Sequence, residues 1–204
     1  MLYEMDCTGS GIYRYAQKDN AFAGWKEVIC PGCGRRVSLP TYSEPSPVLV
    51  LEGGKTYPEF LQFCGAGSLP DGGRLIVLSE KALTVFREEG ISGIGECKPV
   101  VVVQSAVCRY CVDDAPRYFA VDITGSVDLD CSAMSNLKKK NFCPTCQQFE
   151  WNRKQLGRYI LDRNTWSGHD ICRLASMPGI LFGSEKLKLA VQKHKLTNFC
   201  FTET

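Results

Sequence analysis

Histidine is almost missing from this chain. Of 204 residues, only His169 and His194 carry an imidazole. A centre of three histidines, or a His-Glu-x-x-His metalloprotease helix, is therefore excluded. No apolar run approaches the roughly 20 residues that a membrane-crossing helix needs; the longest are residues 47–51, 99–103 and 179–182. Met1-Leu2-Tyr3-Glu4-Met5-Asp6 has neither the basic nor the apolar stretch of a secretory leader, so the expected location is cytoplasmic. The formal net charge is only +2, which by itself draws the chain to no polyanion. The glycine-rich stretch 65–73 lacks the Gly-Lys-Ser/Thr ending of a P-loop and precedes an expected strand, not a helix. Asp113-Asp114 and Asp122, Asp128 and Asp130 lack calcium-loop spacing.

Cysteine, by contrast, is abundant: there are 12. In a reducing compartment, closely spaced cysteines are more often metal ligands than disulfides. Three pairs have Cys-x-x-Cys spacing: Cys30/Cys33, Cys108/Cys111 and Cys143/Cys146. The first and third place proline after the first cysteine. Pro31 and Pro144 preset φ and reduce the entropy lost in forming a tight turn. Gly34 allows the positive φ that closes such a turn, whereas Gln147 holds that place in the third pair. The middle pair has neither feature. Val112-Asp113-Asp114 after it would raise a thiol pKa, which argues against a redox-active pair. Cys30, Cys33, Cys143 and Cys146 are accordingly assigned to one zinc ion. A set combining Cys108 and Cys111 with one outer pair is the alternative. Four thiolates leave no coordination position for water, so such a zinc is structural. Cys7, Cys64, Cys97, Cys131, Cys172 and Cys200 read as buried small hydrophobes. A nucleophile pair at His169 lacks a third, orienting group, and the expectation is a non-enzymatic protein.

The apolar pattern predicts an α+β fold of mainly antiparallel sheets around a zinc knuckle. Residues 1–6 and 12–16 read as a strand pair turning at Gly9-Ser10-Gly11. Residues 25–29 lead into the first knuckle and 37–39 leave it. Strands follow at 47–51 and 75–78. Ser79 then caps a helix that ends at Gly90. Residues 99–104 read as a buried strand, and 117–123 as another, ended by Thr124-Gly125-Ser126. Shorter strands are expected at 158–161, 170–174 and 199–201. Ser-Glu-Lys recurs 105 residues after Ser79, at Ser184-Glu185-Lys186, and opens a second helix over 184–195. This predicts two similar strand–helix–strand units. The chain is expected to be one compact unit, 1–204. Within it, 1–46 with 134–157 would bind zinc, 47–133 would form the first unit, and 158–204 the second.

Charge is divided along the chain. Residues 1–133 hold 12 Lys and Arg against 17 Asp and Glu, and residues 134–204 hold 12 against 5. An acidic front and a basic back can be mutually complementary or face a partner. Lys138-Lys139-Lys140, Arg153-Lys154 and the last helix, with Trp151 and Trp166 nearby, would suit a zinc-ribbon-like nucleic-acid-binding protein. The acidic front weakens that alternative, and nucleic acid is not the expected partner.

Taken together, Cys30-Pro31-Gly32-Cys33-Gly34 and the late Cys143-Pro144-Thr145-Cys146 resemble the bacterial double-CxxCG-motif proteins, a family of immunity proteins from polymorphic-toxin systems. Leu78-Ser79-Glu80-Lys81-Ala82-Leu83 through Gly90-Ile91-Ser92-Gly93 is similar to that family's middle helix and its exit. Gly168-His169-Asp170-Ile171-Cys172-Arg173 and Leu196-Thr197-Asn198-Phe199-Cys200-Phe201 resemble its later motifs. The chain departs from the pattern at Gln147 and Cys172, and Cys108/Cys111 is extra. The resemblance implies a cytosolic, non-enzymatic protein that binds and neutralises a cognate toxin. If that toxin is a nuclease, its basic cleft would favour the acidic front half.

Overall fold

A computed structural model describes residues 1–7, 13–15, 25–34, 36–40, 48–51, 57–63, 75–104, 115–130, 133, 143 and 159–204. In chain order, β1 (Leu2–Asp6), β2 (Tyr13–Tyr15), β3 (Trp25–Ile29), β4 (Arg36–Pro40), β5 (Val48–Leu51), β6 (Phe60–Phe63) and β7 (Leu75–Ser79) lead into helix α1 (Glu80–Glu88). Then come β8 (Ile94–Gln104), β9 (Tyr118–Ile123), β10 (Gly125–Leu129), β11 (Leu161–Asp162) and a 3-10 turn at Arg163–Thr165. β12 (Ile171–Leu174), β13 (Met177–Ser184), helix α2 (Glu185–Lys193) and β14 (Cys200–Glu203) complete the order. The architecture is α+β and mostly sheet. No helix among the described residues is long and apolar enough to cross a membrane.

The strands form two six-stranded sheets and a separate ribbon. One sheet runs β11-β10-β12-β13-β1-β14, the other β2-β5-β8-β9-β7-β6, and the ribbon is β3-β4. In the second sheet β9 lies between β7 and β8 and is antiparallel to both. In the first, β1 lies between β13 and β14 and is antiparallel to both. Each helix therefore crosses from one strand to a parallel strand two places away, with a third strand inserted between them.

Both helices begin in the same way. Ser79 and Ser184 are extended, and each hydroxyl accepts the N–H three residues on, from Ala82 and Leu187, at 3.1 Å. Such a cap satisfies a donor that the helix leaves unpaired, and its loss costs about 1 kcal/mol. Glu80 and Glu185 follow at the positive end of the dipole. The exits match as well. The Ile91 N–H donates to Phe86 O at 2.8 Å, and that of Leu196 to Val191 O at 3.0 Å. Gly90 (φ 61°) and Gly93 (φ 99°) are left-handed in the first exit, and Lys195 (φ 51°) and Asn198 (φ 68°) in the second.

One core joins the helices to both sheets. Met5, Phe60, Ile76, Leu78, Phe86, Ile171, Leu181, Leu187 and Val191 are buried within it. Phe199 stacks on Phe60 at 4.7 Å and meets Phe86 edge-on at 6.0 Å. A second cluster, Leu2, Val127, Leu129, Cys172, Leu174 and Phe182, lies on the opposite face of the first sheet. Burying a side chain of this size contributes roughly 1.5–3 kcal/mol.

Three expectations fail here. β1 does not pair with β2; its partners are β13 and β14, while β2 pairs with β5. β9 ends at Ile123, as expected, but Gly125 at once starts β10, where a Cβ would lie 2.1 Å from the Ile171 carbonyl oxygen. The valine run 99–104 is the second half of β8, and Val101 and Val103 are exposed. Cys200 is exposed, not buried. Cys172 is buried as expected, and Cys7 and Cys97 are half-buried. Cys64 and Cys131 lie outside the described residues, as does the glycine-rich stretch 65–73.

Two carboxylates fasten the sheets to each other. Glu59, just before β6, accepts from the N–H of Thr197 at 2.7 Å and from its hydroxyl, and pairs with Lys81 at 2.9 Å. Asp170, just before β12, accepts from the N–H and hydroxyl of Ser92 at 3.0 and 2.9 Å and from the Ser184 hydroxyl at 2.7 Å; the Lys186 ammonium lies 3.7 Å away. Burial alone would raise both carboxyl pKa values, but these donors outweigh it and hold them below the ordinary 4.5 and 3.8. Depressed carboxyl groups supply stability that is complete above their ordinary values and is lost as pH falls through the lowered ones. Urea midpoints should therefore fall as pH is taken below about 4. In Asp170→Asn the fall should be shallower, from a start about 1–3 kcal/mol lower at neutral pH. Gly93→Ala tests the close packing: its Cβ would meet the Ile171 oxygen at 2.2 Å. A loss of roughly 2–4 kcal/mol is expected in the same measurement.

Candidate metal centre

The ribbon builds the site. β3 and β4 pair in antiparallel register from Trp25↔Pro40 to Ile29↔Arg36. The chain must then reverse between Ile29 and Arg36, and Pro31 and Gly34 lie in that turn. The Gly34 N–H donates to the Cys30 carbonyl at 2.9 Å, and Gly34 has φ 70°. A Cβ there would meet nothing within 4 Å, so glycine is needed for its backbone angle and not for space. The turn is open to solvent at Pro31, Gly32, Cys33 and Gly34.

Cys143 comes to this turn from far along the chain. The sulfurs of Cys30, Cys33 and Cys143 all lie within 4.8 Å of one another. Cys30 Sγ and Cys143 Sγ are 3.7 Å apart. Zinc–sulfur bonds of about 2.3 Å in a tetrahedron give sulfur–sulfur edges of about 3.8 Å, so this spacing fits a shared ion. Cys30 and Cys143 are buried and Cys33 is exposed. Three of the four assigned ligands are thus brought together, and the group can hold a metal ion. Cys146 lies outside the described residues, as do Cys108 and Cys111.

Other candidates resolve differently. Cys172 Sγ donates to the His169 backbone carbonyl at 3.2 Å, and the His169 Nδ1 meets the Ser167 hydroxyl at 2.9 Å. Burial pushes the Cys172 thiol up, which disfavours the thiolate a nucleophile needs. His194 caps α2, and its Nε2 lies 2.6 Å from Glu89. Lys138–Lys140, Arg153, Lys154, Trp151, Asp113 and Asp114 lie outside the described residues. Sequence reasoning missed Glu59, and gave Asp170 no role beyond its place in the motif 168–173; an acid just before a strand is too common a signal to show what it bonds.

Comparison with known proteins adds no identification: no protein-family profile matches the chain, and no curated protein matches it significantly.

The assignment is tested by metal content. Purified wild type should carry about one zinc per chain, and Cys30→Ser and Cys143→Ser close to none, with lowered melting temperatures. Cobalt substitution should give the absorption of a tetrahedral thiolate site. Its loss in Cys146→Ser and retention in Cys111→Ser would assign the fourth ligand; the reverse result would assign it to the middle pair.

Proposed function

We propose that this chain is a non-enzymatic immunity protein that binds a cognate bacterial toxin domain and carries a structural zinc on Cys30, Cys33, Cys143 and Cys146. The observation that carries the metal part is the convergence of Cys30, Cys33 and Cys143 across more than 100 residues of sequence. A closed thiolate set suits a scaffold better than a reaction, since it leaves no open position for a substrate. The immunity part draws on the double-CxxCG resemblance of the sequence. Asp170, which falls in one of the resembling motifs, bonds Ser92, which falls in another.

We also read the body as two copies of one split strand–helix–strand unit. β6, β7, α1, β8 and β9 correspond to β12, β13, α2, β14 and β1, and β1 supplies from the N-terminus the strand that β9 supplies locally. Support comes from the shared caps and exits and from the reciprocal acids, Glu59 on Thr197 and Asp170 on Ser92. Glu89 and His194, 105 residues apart, occupy matching places and bond each other.

Co-expression tests the function. A toxin domain encoded beside this gene should arrest growth when expressed alone. It should cease to do so with this chain present, and the two should co-purify. Continued arrest with both proteins soluble, or turnover of a substrate by the purified chain, would overturn the reading.

A further inference from the structure

Cys30, Cys33 and Cys143 share one site but not one environment. Cys30 and Cys143 are 4% and 3% exposed, whereas Cys33 faces solvent. All three are reduced. Their sulfurs lie within 4.8 Å of one another, and those of the two buried residues are 3.7 Å apart. Pro31, Gly32 and Gly34 are exposed on either side of Cys33, so a small solute meets Cys33 before it can reach Cys30 or Cys143. A zinc that only braces the fold has no use for such a ligand, since enclosing every sulfur would shield the whole set.

The other described cysteines each lack part of this arrangement. Burial raises the Cys97 and Cys172 thiols, which keeps them in the unreactive protonated form. The Cys7 thiol donates to the Gln62 carbonyl at 3.8 Å. Cys200 is exposed, but it belongs to no metal-ligating group among the described residues. At the ribbon tip, accessibility and neighbouring sulfurs coincide. A bound zinc keeps its cysteine ligands deprotonated. The thiolate is the form of cysteine that attacks peroxides, and a reactive one beside a second sulfur is set up to pass on to a disulfide.

We propose that the cysteine centre is a peroxide-sensitive clasp, in which Cys33 is the sulfur attacked and Cys30 or Cys143 resolves it to a disulfide, opening the metal site. The proposal deepens the zinc reading of Cys30, Cys33, Cys143 and Cys146 and rests on it. The Cys33 thiolate attacks one oxygen of hydrogen peroxide; the O–O bond breaks, Cys33 becomes a sulfenic acid and hydroxide leaves. The thiolate of Cys30 or Cys143 then attacks the Cys33 sulfur, forming the S–S bond and expelling a second hydroxide. Solvent protons convert both hydroxides to water. The sulfur pair is oxidised by two electrons, and the peroxide is reduced by the same two. The sulfurs must close from within 4.8 Å to about 2.05 Å, and the turn has room for this, because a Cβ at Gly34 would meet nothing within 4 Å. The thiolates left over cannot complete a tetrahedron, so the site gives up its ion.

The test treats the purified, zinc-loaded chain with hydrogen peroxide at neutral pH beside a zinc-binding dye. About one zinc should be released per disulfide formed, with the mass lower by about 2 Da. Peptide mapping should join Cys33 to Cys30 or Cys143. Dimedone, which traps sulfenic acids, should mark Cys33 ahead of Cys30 and Cys143 when peroxide is limiting. A thiol reductant with zinc should restore the starting mass and metal content. Cys33→His keeps a zinc-ligating side chain without a thiolate, and should release its zinc roughly tenfold more slowly or not at all. Cys200→Ser should release it as fast as the wild type. Zinc retained under peroxide, a disulfide that excludes Cys33, or first labelling at Cys30 or Cys143 would overturn the clasp while leaving the structural zinc in place. A wild type that holds no zinc would overturn both. If Cys33→His does not take up zinc, the labelling order and the disulfide position in the wild type decide.

Discussion

The carboxylates of Glu59 and Asp170 set the terms for the rest of this fold. Each stands just before one strand of its own sheet and takes hydrogen bonds from the helix exit that leads to the other sheet. The donors are a backbone N–H and a hydroxyl on the same residue, Thr197 or Ser92. Both exits turn sharply, so these N–H groups have no place in a helix or a ladder. Left unpaired away from water, such a group costs about 1–3 kcal/mol. A half-buried carboxylate is costly too, unless several donors face it. Each problem is the other's solution, and the arrangement works only when both sheets are present. Lys81 and Lys186, in the first turns of the two helices, add opposite charge at the same points.

The core then has a defined shape to fill. Phe199 leaves the second exit and enters between Phe60 and Phe86. Ile171, beside Asp170, brings its carbonyl so close to Gly93 and Gly125 that neither could carry a side chain without displacement. Asn198, which matches Gly93, uses its amide to donate to the Phe60 carbonyl at 2.6 Å. The two exits thus meet one packing requirement by different means, one by removing a side chain and the other by bonding it.

Local chemistry was legible in the sequence, and long-range partnership mostly was not. Both helices could be read from a serine cap, an acid after it and apolar residues at helical spacing, all within about a dozen residues. The cysteine knuckle was equally local, and proline and glycine marked its turn. Strand pairing misled because Gly9-Ser10-Gly11 has the composition of a hairpin turn, while β1 satisfies its edges with β13 and β14 from the far end of the chain. Gly125 looked like punctuation because the carbonyl that requires glycine there belongs to Ile171. The valines of β8 suit an extended backbone whether or not they are covered, since β-branching reports strand geometry before burial. The bonding roles of Glu59 and Asp170 were invisible because their partners lie 138 and 78 residues away.

The cysteine group and the two carboxylates serve different parts of the molecule. The groups that hold α2 are the Ser184 cap, the Asp170 and Glu89 contacts, and the burial of Leu187, Ala190 and Val191. None of them is among the assigned cysteine ligands. Cys30 and Cys33, in contrast, sit at the tip of a ribbon whose ladder is closed within β3 and β4. A ladder of two strands is marginal in water on its own, and a shared ion at Cys143 would tie its tip to a distant point of the chain. Cross-linking of this kind acts chiefly by restricting the unfolded or detached states. A chelator would then loosen the ribbon before the body, because the body's own fastening, two carboxylates and a continuous core, contains no sulfur ligand.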